Sequence, residues 1–309
     1  MPRRSNKAAT SSVTVVGSLN VDLIASLNQL PAPGETVSSS QLRKLFGGKG
    51  ANQAIAAACH GARVSMIGCV GGDADGIAYI ERMKAFGIDT SGITVDTKSL
   101  TGTALIGVSA TGENLIMVAA EANSKLSANW VRSCREQVTS ASALLLQWEV
   151  PMKAVLASIQ LANKVSVPVV MNPSPLGQEF PWGSVKVDYL IVNEGEAHSI
   201  FRLSPELLAQ QTNRWRSAMK KRGISTLIIT RGSDSTLALD AQCFIEAAVP
   251  RVTPLDTVGA GDCFAGTFTA SLAQGNDLKS SISAANRVAA RSTLTPGAQP
   301  EPRSAKRRR

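Results

Sequence analysis

Asp262 directly follows Gly259-Ala260-Gly261 in the stretch DTVGAGDCFAGTF, residues 256–268. Phe264, Phe268 and Leu272 then recur at helical spacing, so the glycines read as a tight turn opening a helix with the acid in its first turn. Such a start offers free backbone N–H groups and a positive dipole end to an anion, and glycine lets the backbone come close to it. An acid beside that cradle can take a proton from an attacking hydroxyl, which suits phosphoryl transfer; Asp262 as a simple helix cap is the competing reading. A second stretch, LFGGKGANQAIAAA (residues 45–58), repeats the design: Gly47-Gly48, Lys49 and Gly50 lead into a helix. Neither stretch is a Walker loop or a dinucleotide fingerprint. A third, GSLNVD, alternates Asn20 and Asp22 with apolar neighbours, which puts both on one strand face. Short polar side chains on one face suit a polyhydroxylated ligand.

These pieces need a scaffold that places them at one edge. The runs SSVTVVGSLNVDLIA, ARVSMIGCVG, SALLLQWE, VPVVMNPS, VDYLIVNE and STLIITRG read as strands, several apolar on both faces. They alternate with helical patterns such as ANQAIAAACHG, GIAYIERMKAFG and PMKAVLASIQLANK. That rhythm predicts an α/β fold, a mainly parallel central sheet between two helical layers. Residues 101–123 break it with two β-like runs around Ala110-Thr111-Gly112-Glu113-Asn114, a hairpin signal. Together with residues 23–45 they predict a small accessory sheet. Residues 11–300 read as one domain, with basic tails at 1–10 and 301–309.

Composition excludes several classes. No apolar run reaches the roughly 18–20 residues of a membrane span, and the N-terminus lacks the apolar core of a secretory signal. Most of the +9 net charge sits in the two tails, so the body is nearly neutral; AKRRR reads as a solvated tail rather than a nucleic-acid patch, with nuclear import the lesser alternative. The five cysteines lack disulfide or zinc spacing, which points to a reducing, cytoplasmic setting. Cys263 reads as a packing residue, and His60 and His198 as surface or helix-end residues.

GSLNVD, FGGKGAN and DTVGAGD, in this order and at these separations, resemble the ribokinase branch of the phosphofructokinase-B carbohydrate kinase family over roughly Val13 to Gln299. The resemblance implies a three-layer sandwich with a β lid that forms a homodimer contact. It implies an ATP-dependent kinase for the 5-hydroxyl of D-ribose, with another sugar, a nucleoside or a sugar-binding pseudokinase as alternatives. Asp262 would be the general base, and Gly259, Ala260 and Gly261 the anion hole. Asn20, Asp22, Gly48, Lys49, Asn52 and Glu149 would contact the sugar, with Ala104 and Ile106 as apolar lid contacts. Lys49 taken alone suits phosphate equally; its place in the motif favours the sugar. Asn193 and Glu196 in NEGE would organise Mg2+ and the ATP phosphates, Thr230 and Gly232 the nucleotide, and Asn286 the adenine pocket. A K+ ion would lie among the Asp256 side chain, the Val258 carbonyl and main-chain oxygens around Ser292, Thr295 and Gly297. The chain departs from the family pattern at Ser235 and Glu301, and Glu301 would bring a carboxylate near that cation.

Overall fold

The computed structural model describes residues 11–302; the basic tails therefore lie almost wholly outside the described residues. The first half of the chain forms β1 (Ser12–Val16), β2 (Asn20–Ser26), β3 (Gln41–Gly47), α1 (Lys49–Cys59), β4 (Arg63–Gly71), α2 (Ala74–Ala85), β5 (Asp89–Asp96), β6 (Gly102–Val108), β7 (Asn114–Ala119), α3 (Ala128–Ser133), α4 (Arg135–Thr139) and β8 (Ala143–Leu146). The second half forms α5 (Met152–Lys164), β9 (Val169–Met171), β10 (Val187–Asn193), α6 (Glu194–Phe201), α7 (Thr212–Lys221), β11 (Ile224–Thr230), β12 (Thr236–Leu239), β13 (Phe244–Ala247), α8 (Ala260–Ala273) and α9 (Leu278–Ser292).

The order in the large sheet is β13-β12-β11-β10-β9-β8-β1-β4-β5. From β11 to β5 all pairs are parallel, and β12 and β13 add an antiparallel edge. Successive residues of its central strands enter opposite apolar layers. Leu144, Leu146, Leu190 and Val192 pack with Val155 of α5, Phe201 of α6 and Trp215 of α7. Leu145, Ile191 and Ile228 pack with Ile55 of α1, Tyr79 of α2, Phe264 and Phe268 of α8 and Ile282 of α9. Strands buried on both faces explain the near-continuous apolar runs of the sequence, and the three-layer α/β/α sandwich follows from them.

The small sheet has the order β3-β2-β6-β7. The hairpin predicted over residues 101–123 is present as β6 and β7, paired antiparallel. One expectation changes. The run SSVTVVGSLNVDLIA is two strands in different sheets, because the chain leaves the large sheet after Val16 and enters the small one at Asn20. Gly17 allows the exit: a side chain there would collide with the α1 backbone at Gly50. The short segment Gly17-Ser18-Leu19 thus joins the two sheets, and β2 carries its polar face into the space between them.

Candidate active site

Parallel strands of the large sheet release their chemistry-bearing residues at their carboxyl ends, where open α/β sheets form clefts. Ser18 follows β1, Glu149 follows β8, Asn172 follows β9, Asn193 closes β10 and Thr230 closes β11. The helix starts of α1 and α8 approach the same edge. Gly48 at the start of α1 has φ +85°, and a Cβ on it would lie 2.6 Å from the Asn20 nitrogen. Only glycine allows α1 to come this close to β2. The Glu149 carboxylate then accepts from the Lys49 backbone N–H at 3.0 Å and from the Ser18 hydroxyl, filling an otherwise orphaned donor of the first turn.

Gly259 caps α8 in the left-handed region, φ +77°. Asp262, 7% exposed, accepts from Asn52 Nδ2 at 2.9 Å and from Gln53 Nε2 at 2.9 Å. A cavity of about 290 Å³ joins Lys49, Asn193, Glu196, Thr230, Gly259, Gly261 and Asp262. Lys49 therefore shares a wall with the glycine turn. The Ala260 N–H is taken by the Thr257 carbonyl at 3.3 Å, which leaves Gly261 and Asp262 as the better-placed donors of that first turn.

On the lid side, Asn20 pairs with Gly102 and Asp22 with Ala104, and Ile24 pairs with Ile106 two residues on, so Asn20, Asp22, Ala104 and Ile106 share one face of the small sheet. The Asn20 oxygen accepts from Asn123 Nδ2 at 2.7 Å, leaving its amide nitrogen as the group able to donate to a ligand. Burial pushes the Asp22 carboxyl up to about 7, with the Glu149 and Asp262 carboxylates adding to it. A carboxyl that keeps its proton in the folded state after the unfolded chain has lost it stabilises the protein at low pH. That contribution is lost as pH rises from about 4 through 7. Asp22→Asn, neutral throughout, is therefore expected to raise the melting temperature at pH 8 by several degrees, for roughly 2–4 kcal/mol of relieved charge burial, and to change it little at pH 4. Equal shifts at both pH values in a thermal melt would contradict this assignment.

Glu196 and Asn193 form a capping box at the start of α6, with Glu196 N–H to Asn193 Oδ1 at 2.8 Å and Asn193 N–H to Glu196 Oε2 at 3.0 Å. The box fixes both side chains on the wall of the 290 Å³ cavity. Thr230 stands beside Asn193 in the β10–β11 register, and Gly232 turns the chain away with φ +60°. Asn286 does not join them. It is 3% exposed, accepts from Thr236 Oγ1 at 2.8 Å and donates to the Ala248 carbonyl at 3.2 Å. Its amide ties α9 to the antiparallel edge.

The Asp256 carboxylate accepts from the Val258 N–H at 2.9 Å and the Gly297 N–H at 2.8 Å, drawing the two loops of the expected cation site together. Ser292 and Thr295 lie in the same C-terminal segment, joined by a Thr295 N–H to Ser292 carbonyl bond of 3.3 Å. Glu301 is not turned toward those loops. Its side chain is 88% exposed and its carboxylate lies 3.6 Å from the Arg82 guanidinium. Burial pushes the Cys263 thiol up, as befits a packing residue, and none of the five cysteines is in a disulfide.

Several residues at the site escaped the sequence reading. Gln53, Asn172, Gln147, Tyr79, Arg82, Asn123 and Gln299 join or brace the residues of the candidate site through hydrogen bonds across 19–247 residues of sequence separation. Only Gln53, adjacent to Asn52 in GGKGANQ, lay inside a motif.

Comparison with known proteins bears on the fold and the family. The model of the pfkB family carbohydrate kinases matches residues 10–305. The ribokinase of Haemophilus influenzae is 34% identical over 291 residues, 93% of this chain and 94% of that protein. Among solved structures, ribokinase from Cryptococcus neoformans in complex with ADP superposes with a TM-score of 0.79 at 30% identity, over 94% of this chain and 97% of that one. Arabidopsis thaliana ribokinase complexed with ribose and ATP gives a TM-score of 0.83 at 26% identity, over 96% and 97% of the two chains. With its fold and nearly its whole length shared with them, the chain belongs to the pfkB family of carbohydrate kinases.

Proposed function

We propose that this chain is an ATP-dependent ribokinase, transferring the γ-phosphoryl group to the 5-hydroxyl of D-ribose to give D-ribose 5-phosphate and ADP. One observation carries the reading. The buried Asp262 lies on the cavity that holds Lys49, Glu196 and Thr230, and its charge also reaches Asp22 on the lid face. A base between a phosphate-sized cradle and a polar face is what transfer to a sugar hydroxyl requires.

In this reading Asp22 accepts from ring hydroxyls, the Asn20 amide nitrogen donates to one, and Glu149 accepts from another. Gly48 keeps α1 close enough for these groups to converge, and Ala104 and Ile106 cover the sugar from the lid. Asp262 removes the proton of the attacking hydroxyl. The N–H groups of Gly261 and Asp262, at the positive end of the α8 dipole, offset the charge on the transferring group. Lys49 serves the same charge, a role its wall of the cavity supports better than sugar contact alone. Thr230 and Gly232 border the nucleotide.

Mg2+ keeps water ligands and takes one or two carboxylates plus substrate phosphates, so the single fixed carboxylate of Glu196, with Asn193, fits it. Bound there, it would neutralise phosphate charge. For K+, the Asp256 carboxylate, the Val258 carbonyl and main-chain oxygens of Ser292, Thr295 and Gly297 make an all-oxygen donor set suited to a hard cation. Residues 11–300 act as one kinase domain.

The lid carries a further proposal. On β7, an edge strand, Leu115, Ile116, Met117 and Val118 are 43–55% exposed. Four consecutive exposed apolar residues on an open edge need a cover, and a second copy of the same sheet supplies one, giving a homodimer. Ile116→Lys with Met117→Glu is expected to turn a dimer into a monomer in sedimentation equilibrium; a monomeric parent protein would overturn the proposal. No helix among the described residues is long and apolar enough to cross a membrane, and we place the enzyme in the cytoplasm, where cysteines outside disulfides fit.

The test is a panel of D-ribose, 2-deoxyribose, hexoses and nucleosides with ATP and Mg2+, run in K+ and in a bulky organic cation at equal ionic strength. We expect kcat/KM for D-ribose to exceed the other substrates by about tenfold or more, and K+ to raise it. Preference for a nucleoside or hexose would reassign the substrate, and ribose binding without turnover would make the chain a pseudokinase.

A further inference from the structure

The two amides that grip Asp262 must each present nitrogen to it, and primary amides do not choose their orientation unaided. Asn52 Oδ1 accepts from Gln299 Nε2 at 2.8 Å, and the same nitrogen donates to the Tyr79 hydroxyl at 2.9 Å. Gln299 Oε1 in turn accepts from Arg82 Nε at 2.9 Å. A guanidinium has donors only and keeps its charge at every accessible pH. It therefore fixes the oxygen of Gln299 toward itself, the nitrogen of Gln299 toward Asn52, and the nitrogen of Asn52 toward Asp262. Tyr79, fully buried, donates its hydroxyl hydrogen bond to the Gly47 carbonyl, which leaves its oxygen free to accept from Gln299.

The second amide is fixed by the opposite kind of terminus. The Ile191 carbonyl accepts only, so Asn172 gives it Nδ2 at 3.0 Å and turns Oδ1 to Gln53 Nε2 at 3.1 Å. Gln147 Nε2 holds the Gln53 oxygen from behind. Gln53 and Gln147 are both 0% exposed, so no water competes for these positions. Both chains end on Asp262 with a donor.

Arg82 itself is held apart from the reaction. Its guanidinium lies 5.0 Å from the Phe46 ring centroid and 5.6 Å from that of Phe86, donates to the Pro300 carbonyl at 2.8 Å, and is 12% exposed. It clamps the C-terminal segment on which Gln299 is carried.

We propose that Arg82 is a positioning residue for phosphoryl transfer: acting through Gln299 and Asn52, it sets the polarity of the hydrogen bond that holds the Asp262 carboxylate in its working rotamer. Without it, Gln299 is free to turn its oxygen toward Asn52 Oδ1, where two acceptors repel; the Asn52 amide is then pushed from its place and the carboxylate it holds moves with it. The proposal rests on Asp262 being the base, and the two can fail separately.

The experiment compares Arg82→Met, Arg82→Lys, Gln299→Glu, Asn52→Ala and the double variant Arg82→Met/Asn52→Ala by steady-state kinetics with D-ribose and ATP. Arg82→Met, which keeps the stem and removes the donors, is expected to lower kcat about 10- to 30-fold with KM for ATP within twofold. Arg82→Lys, which keeps a donor and the charge, is expected to return kcat to within about threefold of the parent. Gln299→Glu keeps the shape but removes the donor toward Asn52, and is expected to cost at least as much as Arg82→Met. Arg82→Met added to Asn52→Ala is expected to cause no further loss. Parental kcat in Arg82→Met, no recovery in Arg82→Lys, or multiplying losses in the double variant would each overturn the proposal. If instead Asp262→Asn kept full turnover, the base assignment would fail. The hydrogen-bond chain would then be judged by thermal melts: Arg82→Met must lower the melting temperature more in the parent than in the Asp262→Asn background, and equal losses would overturn it.

Discussion

Asp262→Asn is expected to lower kcat by about 10²- to 10⁴-fold while ribose binding changes little, because the substitution removes the proton acceptor and keeps the shape. The carboxylate is 7% exposed and receives N–H groups from Asn52 and Gln53 on its two oxygens, each at 2.9 Å. Two donors on a buried carboxylate hold its rotamer and leave each oxygen a further lone pair for the substrate proton. Asparagine would offer one oxygen where two acceptors are needed, so one of the two amides loses its partner as well. Calorimetry for ribose and a coupled assay for turnover separate the effects. Turnover near that of the parent would end the assignment of the base.

The second large effect is expected at the start of α8. Gly259 sits at φ +77°, and a Cβ on it would lie 2.7 Å from the Cα of Ala298. Alanine there costs on the order of 1 kcal/mol in backbone strain and must also push apart the glycine turn and the C-terminal segment. Both movements misplace the N–H groups of Gly261 and Asp262, and loss of a single oxyanion donor typically costs about 10²- to 10³-fold in kcat. Gly259→Ala is therefore expected to reduce kcat by about 10²-fold, with the ribose dissociation constant within threefold of the parent. Gly61→Ala, at a helix end away from the cavity but also in the left-handed region, is the control: φ is +91° there, and turnover should be unaffected at a temperature where the protein stays folded. Equal losses in both variants would attribute the effect to stability rather than to the cradle.

The sequence made the residues of the proposed site legible because each sits in a local pattern with one physical meaning. Glycines before a helix signal a left-handed cap and close approach, and alternation in GSLNVD signals a shared strand face; Gly48, Gly259, Asn20 and Asp22 occupy such positions. The doubly apolar strands announced the three layers for the same reason. What sequence did not reveal is carried by pairs far apart in the chain. Asn52 and Gln299 are 247 residues apart, and no local pattern ties a glutamine near the C-terminus to an amide in α1. The split between β1 and β2 was hidden because both halves are β-like and only Gly17 marks the change of sheet. Asn286 is ambiguous in sequence for the converse reason. A polar residue on a helix can face a ligand or tie the helix to its neighbour, and spacing alone does not choose; Thr236 and the carbonyls of Ala247 and Ala248 take its amide.

The central claim is that one base, Asp262, directs a phosphoryl group from ATP onto the primary hydroxyl of ribose. Phosphorus and carbon NMR of a reaction containing D-ribose, ATP, Mg2+ and K+ tests it most directly, because the coupling pattern identifies which carbon bears the phosphate. The account predicts stoichiometric ADP and ribose phosphorylated at O5 with the parent protein, and neither product above background over the same time with Asp262→Asn. Phosphate at O1, ATP hydrolysis without sugar phosphate, or O5 product formed equally by Asp262→Asn would contradict it.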